Sequence, residues 1–173
     1  MLRAVMRLRA SRVVKNPGAA VYGAIVATAS IAAASHLEPR AWVVLVEMLS
    51  TLAVFWLAHV HSAVISARFE QPAAPLRGLV REALDHELPM LEAAIVPVAL
   101  LGLAAAGGIA ESAAITAALW AGVVELFGVG ILRARRIPDG AQRAGGEVLR
   151  VVLVGFAYAL SGGALVALKV VLH

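Results

Sequence analysis

Five ionisable side chains interrupt runs that are otherwise apolar: Glu47, His59, His61, Glu92 and Glu125. On insertion scales each such residue costs at least about 2.5–3.5 kcal/mol inside a membrane-spanning helix, so it is expected to face a bundle interior or a cavity. Imidazoles change charge near neutral pH, and carboxyl groups in low dielectric hold their proton tightly. Groups of these two kinds, brought together, relay protons or hold a cation.

The two histidines lie in FWLAHVHSAVISARFE, residues 55–70. Their spacing is wrong for a chelating pair. At about 100° per residue they point about 160° apart on a helix, whereas helical zinc-type pairs are spaced i, i+4, as in H-E-x-x-H. Glu47, Thr51, Val54, Ala58, His61 and Ile65 fall on one stripe. His61 is therefore the histidine expected to face the bundle. His59, near Phe55 and Ser62, is expected to look toward a neighbouring subunit, lipid headgroups or Arg68.

The elements that carry these residues are five apolar segments, at roughly 17–37, 41–67, 88–108, 111–132 and 147–172. Each has about 20 residues or more, enough at 1.5 Å per residue to cross a hydrocarbon core of about 30 Å. The composition agrees: 61% of the 173 residues are hydrophobic and only 15% charged, against about 45–50% and 25% in soluble domains. The expected fold is all-α, a polytopic bundle of five transmembrane helices forming a single domain over 1–173, with no room for a soluble one. Zero cysteines exclude a disulfide framework, a thiolate metal site and a cysteine nucleophile.

Basic residues set the orientation. With the N-terminus cytoplasmic, Arg3, Arg7, Arg9, Arg12, Lys15, Arg68, Arg77, Arg81, Arg133, Arg135, Arg136, Arg143 and Arg150 share the inner side, leaving Arg40 and Lys169 outside. That asymmetry fits the positive-inside rule. It also accounts for the net charge of +4 without nucleic acid, which is not an expected partner. The basic start, the apolar stretch and the AAAS of residues 32–35 have the layout of a secretory leader, but the segment is expected to stay as a genuine span.

Two stretches read as interfacial. LRAVMRLRASRVVK, residues 2–15, mixes apolar side chains with five cations, as a basic helix on anionic lipid does. PLRGLVREALDHEL, residues 75–88, keeps Leu76, Leu79, Val80, Ala83, Leu84 and Leu88 at helical spacing opposite Arg77, Arg81, Glu82 and Asp85. Pro75 suits a first turn, and Pro89 is expected to bend the chain into the third span. Small residues repeat every fourth position at Ala19–Gly23–Ala27, Gly102–Ala106–Ala110 and Ala157–Ser161, the pattern of tight helix contacts or an oligomer interface.

Span direction sorts the polar residues by depth. His59, His61, Glu92 and Glu125 come to one level in the cytoplasmic half, while Glu47 lies roughly 21 Å from His61 along the helix, toward the outer face. His61, Glu92 and Glu125 are the expected inner titrating groups, and Glu47, reached through Thr51, an outer station. The function expected is a small oligomeric transporter or ion channel of a bacterial inner membrane, proton-linked, with no cofactor. A structural or assembly subunit and a divalent-cation carrier are the alternatives. No enzyme signature is present: LSGGA is not G-x-S-x-G, and H-E-x-x-H is missing. The hydropathy, with the stretches VYGAIVATA and FWLAHV, resembles small multi-pass membrane proteins of GC-rich, actinobacterial-type bacteria, and the resemblance implies no particular activity.

Overall fold

The computed structural model describes residues 16–134, and Leu153 alone beyond them. The interfacial stretch 2–15, the span 147–172 and the pair Ala157–Ser161 lie outside the described residues. The described part is all-α, with no strand: α1 (Pro17–Leu37), α2 (Ala41–Glu70), α3 (Leu76–Glu92), α4 (Ile95–Ala105) and α5 (Glu111–Ala134). Three of these, α1, α2 and α5, are long and apolar enough to cross a membrane. A fourth crossing is available if α3 and α4, bent by 55° at their junction, count as one span.

Local chemistry sets the helix ends. Asn16 caps α1, its side-chain oxygen accepting from the Ala19 N–H at 3.0 Å, and Pro17 occupies the first turn. Pro39 forces Glu38 into extended backbone and stops α1. Pro72 keeps Gln71 out of the helical region and ends α2. At the end of α4 the Gly108 N–H bonds the Leu103 carbonyl and the Gly107 N–H that of Ala104. Gly107 takes φ +78 there, a left-handed turn that glycine adopts without a Cβ penalty.

The bend between α3 and α4 falls at Ala93–Ala94, where Pro89 was expected to make it. Pro97 has no N–H for the Ala93 carbonyl four residues back, and its ring crowds that carbonyl. The helix therefore breaks one turn ahead of Pro97. Pro89 is carried inside α3. The carbonyl it leaves without a helical donor belongs to Asp85, an exposed residue open to other partners.

α1 is the central helix and packs against α2, α3 and α5. Burial on several sides explains why nearly half its residues are alanine or glycine: they let neighbours come close where apolar burial gives no drive in lipid. Gly23 is the tightest case, since a Cβ there would run into the Met90 backbone of α3. Gly122 of α5 is held against Thr28 in the same way. The Thr28 and Ser30 hydroxyls donate back to Ala24 and Val26 carbonyls at 2.7 and 2.8 Å, so both hydroxyl protons are satisfied inside the bundle. The Ala19–Gly23–Ala27 face is thus a packed one. The Gly102–Ala106–Ala110 face is open, with nothing near Gly102 and with Ala106 and Ala110 exposed.

The contacts also give directions. Residues 16, 23 and 24 of α1 meet 86, 90 and 93 in the same order, so α3 runs parallel to α1. Residues 20, 24 and 28 meet 129, 126 and 122, so α5 runs antiparallel. Arg68, Arg77, Arg81 and Arg133 consequently sit at the Asn16 end of the bundle, and Arg40 at the other.

Candidate functional site

Three consecutive residues of α1 define the level at which the polar groups gather. Tyr22 stacks against His59 of α2, ring centres 4.6 Å apart. Gly23 abuts Met90 of α3. Ala24 shares a packed cluster with Ala93, just past the end of α3, and Leu126 of α5. His59, Glu92 and Glu125 are therefore level with one another, as the helical rise along each span requires. Glu92 closes α3 directly before the break, and both glutamates are half-buried and engaged with partners.

The histidines exchange the roles expected of them. His59 is the inward one: its Nδ1 is 2.9 Å from the Phe55 carbonyl, and Tyr22 contacts both its ring and that of Phe55. His61 is exposed, as are Glu47, Val54, Ala58 and Ile65 on its stripe, with Thr51 half-buried. The stripe that packs inward is Ala41, Val44, Met48, Leu52 and Val60. His61 is thus not in the inner cluster with Glu92 and Glu125. Replacing His59 with Leu should cost about 1 kcal/mol in reversible unfolding from mixed micelles, through the lost ring contact and hydrogen bond. His61→Leu should stay within about 0.5 kcal/mol of wild type. The opposite ranking would contradict the inward placement of His59.

A second polar group was missed in the sequence. Glu87 is buried, at 7% exposure, and its Oε1 lies 3.0 Å from Nδ1 of its neighbour His86. The Asn16 amide donates to the His86 carbonyl at 3.0 Å and lies 3.0 Å from the same Nδ1. With its proton, Nδ1 donates to Glu87. Without it, Nδ1 accepts from Asn16. The tautomer of His86 therefore decides which of the two it bonds, while the Asn16 bond to the His86 carbonyl joins α1 and α3 in either case. The spacing Leu79, Ala83, Glu87, Met90 was the available signal, because it sets Glu87 on the buried stripe of α3.

At the opposite end, a half-open cavity of about 260 Å³ lies between α1 and α2. Glu47 and Thr51 line it together with Ser30 and Glu38; Leu37, Val43 and two alanines supply the apolar walls. Arg40 donates to Glu38 at 2.9 Å, and this hydrogen bond and charge hold the Glu38 carboxyl below its ordinary range. No group of three or more metal-ligating side chains comes together among the described residues.

No protein-family model, curated protein or solved structure matches the chain.

Proposed function

We propose that the chain is a small multi-pass transporter or ion channel of a bacterial inner membrane, proton-linked, with Glu92 and Glu125 as its inner titrating groups. The observation that carries this reading is the broken helix: α3 stops at Glu92, α4 resumes at Ile95, and Glu125 stands level with the break on α5. Discontinuous helices leave backbone carbonyls without helical partners, and transporters use such carbonyls beside carboxylates to hold ions. His59 takes the inward role first expected of His61. The Asn16–His86–Glu87 group adds a polar contact between α1 and α3 nearer the inner mouth.

The finer topology belongs to the same proposal. It has five spans, the fifth over 147–172, the N-terminus cytoplasmic, and the charged first turns of α3, which precede its contact with Asn16, meeting anionic lipid at the inner surface. The arginines gathered at the Asn16 end support that orientation. The outward position of His61, on a helix whose most apolar window is only 22% buried, favours a homo-oligomer that shields it from lipid. The same face supports the alternative of an assembly subunit beside a larger partner.

The cysteine-free sequence makes a direct test available. Single variants Glu92→Cys, Glu125→Cys and Leu57→Cys, reconstituted in lipid, are exposed to a water-soluble thiosulfonate. Leu57 points out of the bundle on α2. An aqueous path at the glutamates predicts labelling at least about tenfold faster at positions 92 and 125 than at 57. Equal rates would remove the path.

A further inference from the structure

We infer that the outer cavity between α1 and α2 is a binding site for a small monovalent organic cation, an ammonium group carried on a short apolar body. Charge gives the valence. Of the two carboxylates, Glu38 is neutralised by Arg40 in an ion pair at 2.9 Å. Glu47 has no hydrogen-bond or ion-pair partner among the described residues. Glu111, the other acid whose charge acts on Arg40, does not line the cavity, so within the lining one negative charge is left over, which matches one positive charge and not two.

Size and lining give the rest of the ligand. The cavity of about 260 Å³ far exceeds the roughly 30 Å³ that one water occupies in the liquid, and it approaches the lower limit of small-molecule sites, about 300 Å³. A bare alkali ion would leave most of it unfilled. Leu37 and Val43 offer an apolar wall that would do nothing for such an ion and would cover the body of an alkylammonium. The polar side is suited to N–H donors. Glu47 accepts, and Ser30, whose own proton goes to Val26, keeps lone pairs to accept a further bond. Thr51, one turn from Glu47 along α2, lines the same cavity. Arg40 also lies 5.5 Å from the Trp42 ring, so the group that neutralises Glu38 is held in place from a second side.

The inference rests on the transport reading for its purpose, since it names the substrate class of that path's outer mouth. Its test does not depend on transport. Binding of n-butylammonium to the detergent-solubilised full chain is measured by titration calorimetry, with n-butanol and butyrate as neutral and anionic counterparts. Saturable binding of n-butylammonium alone is expected. Glu47→Gln should weaken it at least about tenfold, Thr51→Val less, and His61→Leu, exposed on the same helix toward its other end, not at all. Glu47 is exposed on α2, so its amide variant is expected to fold, which unchanged far-ultraviolet dichroism would verify. No saturable binding by wild type, equal binding of n-butanol, or full binding by Glu47→Gln would each overturn the site. Loss of binding in Glu47→Gln together with unaltered flux in Glu92→Gln would keep the site and discard the inner path.

Discussion

Gly23→Val should unfold at a markedly lower denaturant concentration than wild type, with a loss of about 3 kcal/mol or more. A Cβ at position 23 would overlap the carbonyl oxygen, carbonyl carbon and Cα of Met90. All three are backbone atoms, so no rotamer change relieves the overlap, and α3 must move away from α1. Overpacked cores ordinarily lose about 1–3 kcal/mol; this site should lie at the upper end or beyond, because the neighbourhood has no slack. Met90 is fully buried, and Ala93 and Ala94 beyond it are 2% exposed. The same displacement pulls Ala24 from Ala93 and strains the Asn16–His86 bond, so the damage spreads along the helix pair. Gly102→Ala is the matched control. Nothing lies within reach of a Cβ there, and removing a flexible glycine from a helix typically adds about 0.5–1 kcal/mol. Reversible unfolding in mixed micelles checks both. A wild-type midpoint for Gly23→Val would mean that α1 and α3 do not touch at this point.

Much of the fold could be read from the sequence because each of its signals is local. Apolar runs mark α1, α2 and α5; Asn16 with Pro17, Pro39 and Pro72 marks their ends. The shared depth of His59, Glu92 and Glu125 follows from helical rise alone. Azimuth was harder. In water, a helix shows its inward face by contrast with a polar one, but α2 has Val44, Met48 and Leu52 inside and Val46, Val54 and Leu57 outside, so the contrast is absent. Polar residues then became the only guide, and they put His61 inward when Tyr22 in fact receives His59. The break raised another difficulty. Proline acts on the carbonyl four residues earlier, so the choice between Pro89 and Pro97 turned on which upstream carbonyl could find another partner. Asn16 and His86 stand seventy positions apart, and no local pattern announces a contact of that kind. Glu87 alone left a trace, in the spacing of its buried stripe.

Glu92→Gln and Glu125→Gln should each lower proton flux at least about tenfold, and the double variant little further. The argument is one of position and chemistry. Glutamine keeps the shape and hydrogen-bonding capacity of a neutral carboxyl but cannot release a proton, so it interrupts a relay while leaving the packing intact. Groups that act in one path fail together, which makes their effects strongly non-additive. His61→Leu, outside the inner cluster, should leave flux near wild type. The most direct measurement loads proteoliposomes with a pH-sensitive dye, clamps the membrane potential with potassium and valinomycin, and follows acidification of the lumen after an external acid pulse. Wild-type vesicles should acidify much faster than protein-free ones, and Glu92→Gln vesicles should fall back toward the protein-free rate. Wild-type vesicles no faster than empty ones, or Glu92→Gln vesicles as fast as wild type, would contradict the proton path through α3, α4 and α5.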